Sequence, residues 1–319
     1  MPLHTDSLQS RCSMISLVML TSALACLAQV QMAQMASKTN TTSQTQSQEI
    51  AASSPAQATL AILETKLRSD LAVHPESAAT LYRLGLVLRQ ENRPKESLDA
   101  YTLAAKYQKP DAVQLQSVAL DYVLLNDYSD AIHWLETAQS YNPRNIDVLY
   151  SLARCYYTQG RYHAAEELYL RVLQIKPDHL KAEENLGLAY DAENLPDKAE
   201  PALRTAASWA SKSGKDEWPF LDFGTFLLDH DRAQEALPLL QNATAIAPKC
   251  APCHEKLGRA LGKTGKPQES ASELETAVEL DPKNPSIHYE LGRVYYSMGA
   301  QEKARAEFAL SEQLRRERN

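Results

Sequence analysis

The sequence predicts an all-α protein in which one helix-turn-helix unit is repeated along the chain. Apolar and small residues recur with a period of 34 residues from Ala78 onward. Ala and Leu, which favour helices, are abundant. Prolines recur near the end of several periods, where they stop one helix before the next begins. A unit of this length holds two helices that bury their apolar faces only against neighbouring units, so we expect a solenoid.

The N-terminal segment differs from the periodic region and predicts export. Residues 15–28 read ISLVMLTSALACLA, an uncharged apolar run that is short for a membrane span. Ala23 and Ala25 are the small side chains that signal peptidase requires. We therefore expect a signal peptide over 1–28 and a periplasmic or secreted protein that keeps no integral membrane span after cleavage. Lipoprotein anchoring through Cys26 is a less favoured alternative.

Two further segments precede the repeats. Residues 29–55 are rich in Ser, Thr and Gln and have no periodicity, which predicts a disordered linker. Residues 56–77 contain an amphipathic stretch from Thr59 to Leu71, which predicts an N-terminal capping helix.

The periodic region divides into seven units. In each unit the seventh position is apolar, the eighth is Gly or Ala and the twentieth is Ala or Ser, as expected where helices approach closely. The insertion Gly214-Lys215-Asp216 separates the fourth unit from the fifth, and the second helix of the fourth unit should run through Ala210. The seven repeats are 78–111, 112–145, 146–179, 180–213, 217–250, 251–284 and 285–318.

The unit resembles the tetratricopeptide repeat. The pattern of that family stands here as Leu291-Gly292-Arg293-Val294-Tyr295, then Ala304 to Phe308, with Pro282 ahead of the frame. The resemblance implies a right-handed α-solenoid whose concave surface is lined by the first helix of each repeat, mainly at positions 2, 5, 9, 12 and 13. It also implies a non-catalytic protein-protein interaction scaffold or adaptor, so we expect no enzyme activity.

Tyr and Arg residues at these inner positions are the candidate partner-binding residues, because both types dominate binding hot spots. A solvated inner wall remains the alternative interpretation. The inner face of repeats one, two, four and five is predicted to be more apolar, through Leu86, Leu120, Val123, Leu124, Leu188, Leu221 and Leu228. The candidate binding residues are Tyr150, Arg154, Tyr157, Arg259, Lys263, Tyr289, Arg293 and Tyr296.

Charge narrows the class of partner. The chain has 33 Lys and Arg against 40 Asp and Glu, a net charge of -7, which disfavours nucleic acid. On the inner face of repeats six and seven, however, Arg259, Lys263 and Arg293 face one acid, Glu255. We therefore expect a protein or peptide partner with an acidic and aromatic segment, bound at the C-terminal third.

The stretch Cys250-Ala251-Pro252-Cys253-His254 has the C-x-x-C-H spacing of c-type haem attachment. His288 fills the same repeat position as His254 without a preceding Cys pair, so we expect neither a cofactor nor a metal. The two Cys residues are interpreted as a disulfide that pins a turn or as two thiols at a helix start. A c-type haem protein and an accessory subunit of an envelope enzyme complex remain alternative functions.

We predict that the mature protein begins near Cys26 or Gln29, because the apolar run and the Ala-x-Ala site form a signal sequence. N-terminal sequencing of protein from an expressing native host checks this. A chain that begins at Met1 or Pro2 would remove the export hypothesis.

Overall fold

The computed structural model describes residues 55–318, which are helical with short turns. The predicted signal peptide (1–28), with Cys26, and the predicted linker (29–55) apart from Pro55 lie outside the described residues. Within the described range, no helix combines the length and the apolar character that a membrane span requires.

The chain separates into two compact units after Pro75. The first unit contributes one described helix, α1 (Pro55–Val73), over the region where the sequence predicts a capping helix. Its role as a cap stays a prediction. The second unit contains fourteen helices within the described residues, and they form seven antiparallel pairs.

The first helix of each pair is called the A helix and the second the B helix. Each helix packs against the other member of its pair, and each B helix packs against the next A helix, which confirms the predicted all-α solenoid. The pairs are α2 (Ala78–Gln90) and α3 (Pro94–Tyr107), α4 (Ala112–Leu124) and α5 (Tyr128–Tyr141), α6 (Ile146–Thr158) and α7 (Tyr162–Ile175), α8 (Leu180–Ala192) and α9 (Pro196–Ser213), α10 (Trp218–Asp229) and α11 (Ala233–Ile246), α12 (Ala251–Lys263) and α13 (Pro267–Leu280), and α14 (Pro285–Ser297) and α15 (Gln301–Arg318).

Side-chain caps fix where most A helices begin. Ser77, Asp111, Asn145 and Asn284 each accept a hydrogen bond from a backbone N–H of the first turn, which otherwise has no partner within the helix. Before α8 the ring Nδ1 of His179 accepts from the N–H of Ala182 in the same way. The caps therefore set the register of each repeat.

The turn from each A helix to its B helix contains one residue with positive φ. This residue stands at position 15 of every repeat and is always Asn, Asp or Gly, the types that adopt the left-handed conformation most easily. It lets the chain reverse direction within three residues. The seven residues are Asn92, Asn126, Gly160, Asn194, Asp231, Gly265 and Gly299.

Position 8 of each A helix lies against position 24 of its own B helix. A Cβ atom added at Gly224 would stand 2.7 Å from Leu240 Cγ, and one added at Gly258 would stand 2.6 Å from Leu274 Cγ. These distances are too short for any side chain, so glycine is required there. In repeats one and six a Ser at position 20 strengthens the same contact, because the Oγ atoms of Ser97 and Ser270 donate to the carbonyls of Gly85 and Gly258.

The fourth pair departs from the others, as the sequence indicates. Its B helix, α9, extends through Ser213 and so passes the predicted end at Ala210. Gly214 then ends the helix in the left-handed conformation, with φ of 59°. The following residues carry the chain to Trp218, where α10 begins.

We predict that Gly224→Leu lowers the free energy of unfolding by about 1–3 kcal/mol, because the new side chain overlaps Leu240 in a filled interface. Urea denaturation followed by circular dichroism measures the change. The double variant Gly224→Leu with Leu240→Ala is the control, since it restores room and should recover part of the loss. Unchanged stability of the single variant would contradict the frame assigned to repeat five.

Candidate ligand-binding groove

Three consecutive A helices, α6, α8 and α10, surround a cavity of about 370 Å³ that opens to solvent. We call it the central groove. Its lining residues stand at positions 2, 5 and 9 of repeats three to five, which the family resemblance assigns to the concave surface, and at position 6, which it does not. They are Tyr150, Arg154, Lys181, Glu184, Asn185, Leu188, Trp218 and Asp222.

One wall of the central groove is aromatic. Trp218, in the first turn of α10, keeps 46% of its surface exposed. The half-buried ring of Tyr150 packs 6.0 Å from the ring of Tyr169 and 5.3 Å from that of His179, measured between centroids. The indole and the phenol thus offer flat apolar faces, and the rings of Tyr169 and His179 set the orientation of the phenol.

Arg154 brings a cation to the edge of this wall. Its side chain is exposed, and its Cζ lies 6.0 Å from the centroid of the Tyr150 ring. None of the ion pairs within residues 55–318 includes Arg154. Its guanidinium is therefore available to a ligand.

Position 5 of one repeat meets position 6 of the next along the inner face. The amide Nδ2 of Asn185 donates to Tyr150 Oη at 3.3 Å, and one repeat earlier Gln116 Nε2 donates to Ser151 Oγ at 3.2 Å. Each of these contacts joins a donor to an acceptor. At the next step, between repeats four and five, the two positions hold Glu184 and Asp222, which are both acids.

Glu184 is only 2% exposed, although it lines the central groove. The Nζ atom of Lys181 lies 2.9 Å from its Oε2 and also 2.9 Å from Oδ2 of Asp216. Lys181 is therefore the ion-pair partner of Glu184, and both carboxyl oxygens of Glu184 are shielded from solvent. A buried carboxylate is costly unless it is paired, as this one is with Lys181.

Burial raises the pKa of both acids, since it penalises their charged forms. The negative charge of Glu184 and a hydrogen bond with it raise the pKa of Asp222 further, to about 7. The lysine opposes this shift for both groups. A protonated Asp222 can therefore donate a hydrogen bond to the Glu184 carboxylate, which lowers the pKa of Glu184.

Tyr157, the third candidate on α6, is half-buried outside the groove lining. Its ring packs 5.3 Å from that of Tyr162. Burial raises the pKa of Tyr157, and the nearby Tyr162, Asp222 and Asp191 raise it further. The Tyr157 hydroxyl therefore lies near Asp222, which also lines the central groove.

The candidate cations of repeats six and seven are already paired. Arg259 Nη2 lies 3.1 Å from Asp229 Oδ1, and Lys263 Nζ lies 2.7 Å from Asp231 Oδ1. Arg293 Nη1 lies 3.3 Å from Glu290. These acids come from the preceding repeat or from the same helix turn, so the inner face does not carry the excess positive charge that the sequence suggested.

The aromatic residues of repeat seven remain on the surface. Tyr289 packs against Phe308, with ring centroids 5.6 Å apart, and the Arg315 guanidinium lies over its ring. Tyr296 is 68% exposed. Both rings can therefore contact a partner.

Two of the residues predicted to form an apolar inner face are instead buried in the core. Leu221 is 4% exposed and Leu228 is fully buried, because α10 turns both toward the core between repeats. Leu86 and Leu124 are exposed. The apolar character of the inner face therefore comes from fewer residues than expected.

The C-x-x-C-H residues do not fit haem attachment. Cys250 and Cys253 are joined by a disulfide at the start of α12, so neither sulfur is free for a thioether bond. His254 is held between Glu273, at 2.7 Å from Nδ1, and the carbonyl of Pro248, at 3.1 Å from Nε2. His288 makes the same two contacts with Glu307 and Pro282, which shows that this histidine is part of the repeat structure.

One other group could hold a metal ion by its chemistry. The ligand atoms of His163, Glu166 and Glu193 lie within 4.8 Å of one another. Glu166 already contacts Lys198 at 3.6 Å, and the His163 side chain is largely exposed.

Comparison with known families finds two matches. A tetratricopeptide repeat model matches residues 122–182, and a TPR repeat model matches residues 258–299. No curated protein matches the chain in sequence.

Solved structures share the fold at low identity. A tetratricopeptide repeat protein from Parabacteroides merdae is 17% identical, with a TM-score of 0.60, over 74% of this chain and 92% of its own. One chain of the APC/C hetero-tetramer Cut9-Hcn1 is 16% identical, with a TM-score of 0.62, over 80% of this chain but only 50% of that one. PilF of Pseudomonas aeruginosa is 18% identical, with a TM-score of 0.57, over 67% of this chain and 96% of that one.

We predict that Asp222→Asn stabilises the protein above neutral pH. The pKa of Asp222 is about 7 in the fold and 3.8 ordinarily, so the folded chain holds a proton that the unfolded chain has lost between these values. Ionisation of Asp222 therefore lowers the stability of the wild type as pH rises through this window, and the variant lacks this contribution. Its free energy of unfolding should exceed the wild-type value by about 1 kcal/mol or more above pH 7.

Urea denaturation across the pH range measures this difference, which should shrink toward pH 4. The exposed Asp197→Asn is the matched control and should give a difference that does not change with pH. If the effect of Asp222→Asn on stability did not change with pH, the raised pKa of Asp222 would be wrong.

Proposed function

Because the chain is a tetratricopeptide repeat protein, we propose that it is a non-catalytic scaffold that binds a peptide or a segment of a partner protein in the central groove. The groove itself carries the proposal. Three successive A helices place an exposed indole, a phenol, an unpaired guanidinium and buried carboxyl groups around one cavity. Solenoids bind partners on such continuous concave surfaces.

The size and lining of the central groove suit side chains of an extended segment. The groove has a volume of about 370 Å³ and is widely open to solvent, so one large side chain can rest in it while the rest of the segment runs along the inner face. Trp, Tyr and Arg are the residues that contribute most to binding energy at interfaces. All three occur here in Trp218, Tyr150 and Arg154.

The central groove is a better anchoring site than the C-terminal third. A partner acid that binds Arg259 or Lys263 shares the cation with Asp229 or Asp231, so the attraction that it gains is reduced by the acid already present. A partner acid that binds Arg154 meets no such competing carboxylate. The proposed site therefore keeps Tyr150 and Arg154 from the sequence-based candidates and adds Trp218.

We further propose that the protein acts outside the cytoplasm, in the bacterial envelope or as a secreted protein. The apolar run at residues 15–28 supports this, and so does the Cys250–Cys253 disulfide, because disulfides persist mainly in oxidising compartments. Fractionation of the native host and N-terminal sequencing test it together.

We predict that Trp218→Ala weakens partner binding by about 2 kcal/mol or more, since it removes the most exposed aromatic surface of the central groove. The partner is first identified by photocrosslinking from position 218 in the native host, and its binding is then measured by calorimetry.

Tyr296→Ala is the matched control. It removes a comparably exposed aromatic residue from the inner face of repeat seven and should leave affinity within about 0.5 kcal/mol. If Tyr296→Ala weakens binding and Trp218→Ala does not, the partner occupies the C-terminal third.

A further inference from the structure

We propose that Asp121, in the core between repeats one and two, is a pH-sensitive switch. It holds a proton while the two repeats are packed together, because that proton completes a chain of hydrogen bonds with Ser97 and the Gly85 carbonyl. Its ionisation favours the opening of repeat one from the solenoid. The switch lies outside the central groove and does not depend on the proposed binding function.

Asp121 is an exception at its repeat position. It stands at position 10 of the second A helix and is fully buried. In the other six repeats this position is also buried, and it holds an uncharged residue. The sequence therefore places an acid where charge is costly unless it is paired. The six residues are Val87, Cys155, Ala189, Phe226, Ala260 and Val294.

The hydrogen bonds around Ser97 require one more proton than its hydroxyl carries. Ser97 Oγ lies 2.8 Å from the carbonyl oxygen of Gly85 and 2.6 Å from Oδ2 of Asp121. A hydroxyl has one proton, and both neighbours are acceptors when Asp121 is ionised. Two full hydrogen bonds along these three oxygens therefore form only if the carboxyl group supplies the second proton and donates to Ser97.

Repeat six shows which of the two acceptors belongs to the repeat structure. Ser270 stands at the same position 20 as Ser97, and its Oγ donates to the Gly258 carbonyl at 2.6 Å. Position 10 of the following repeat is Val294, so that serine serves the carbonyl alone. By analogy the Ser97 proton belongs to the Gly85 carbonyl, and Asp121 is the additional donor.

The surroundings of Asp121 favour its neutral form. Its Oδ1 receives no hydrogen bond from the residues that the structure describes. Burial raises the pKa of Asp121 to about 6, and the hydrogen bond with Ser97 and the charge of Arg89 oppose this shift only in part. Arg89 Nη1 donates instead to the Ser117 carbonyl, 3.0 Å away. An ionised Asp121 is therefore solvated fully only where water reaches it.

The charges on the packed helices preserve this state. Arg89 on α2 and Tyr101 on α3 are the ionisable groups that interact with Asp121. Burial raises the pKa of Tyr101 further above its ordinary value, so this side chain stays uncharged. The charged groups of the next two helices act on other residues: Asp127, Asp130 and Glu136 at α5 act on Tyr122 and Tyr156, and Asp147 and Arg154 on α6 act on His179 and Tyr150.

Repeat one is the layer that ionisation releases. It consists of α2 and α3, and α3 packs on α4, which carries Asp121. This contact is the least extensive between any two consecutive helices from α2 to α15. Opening it exposes the carboxyl group to water, where its pKa returns to its ordinary 3.8. Opening therefore becomes easier as pH rises from about 4 to about 6, because the open form loses its proton first.

Hydrogen exchange of the full chain, followed by mass spectrometry from about pH 4 to pH 8, tests the switch. Rates corrected for intrinsic exchange give the opening equilibrium constant of α2 and α3. We expect this constant to rise by about tenfold per pH unit between pH 4 and pH 6 and to level off above.

Two variants remove the titrating group. Asp121→Asn keeps a donor for Ser97 that does not ionise, and it should abolish the rise in the opening of repeat one. Asp121→Ala places there the residue that repeats four and six carry, and it should abolish the rise as well. Asp130→Asn, at an exposed acid on α5, is the matched control and should keep the wild-type rise. Opening of repeat six should be the same in the wild type and the variants.

Carboxyl-carbon NMR of aspartate-labelled protein provides a direct readout of the proton. The Asp121 signal, assigned by its loss in Asp121→Asn, should titrate with a midpoint of about 6. A midpoint near the ordinary 3.8 would overturn the proposal. So would an opening of repeat one that stays constant between pH 4 and pH 7 in the wild type, or one that rises equally in both Asp121 variants.

Discussion

The contact between position 8 of each A helix and position 24 of its B helix is the constraint on which the rest of the structure depends. At Gly187, Gly224 and Gly258 a leucine of the B helix occupies the space that a side chain would need, and at Gly85 and Gly292 an aromatic ring occupies it. Because the helices meet this closely, each pair behaves as one thin layer. Successive layers then bury the large position-7 residues between them.

This packing also determines what the inner face can present. With position 8 held against the B helix, positions 2, 5, 6 and 9 of the A helix are turned toward the cavity and toward the adjacent A helices. Positions 5 and 6 of neighbouring repeats consequently touch, as Tyr150 and Asn185 do. A binding site in this fold is therefore assembled between repeats, and its chemistry depends on pairs of residues about one period apart.

The sequence predicted the features that lie within a repeat. The small residues at position 8 and the period itself identify the helix pairs, because close packing within a pair restricts residue type at fixed positions. The regular Asn, Asp and Gly at position 15 were overlooked, although the left-handed turn requires them. Contacts between repeats were harder to predict. The pairing of Arg259 with Asp229 and the burial of Leu221 depend on how one layer is rotated relative to the next, and no period in the sequence encodes that rotation.

Glu184 and Asp222 show why the central groove was not predicted from the sequence. Glu184 and Asp222 are 38 residues apart in the chain, because the insertion Gly214-Lys215-Asp216 lengthens the connection between repeats four and five. The insertion does more than change the spacing, since it brings Asp216 to Lys181 and divides the lysine between two carboxylates. The loop that interrupts the repeat thus changes the ion pairing of Lys181, a residue that lines the groove.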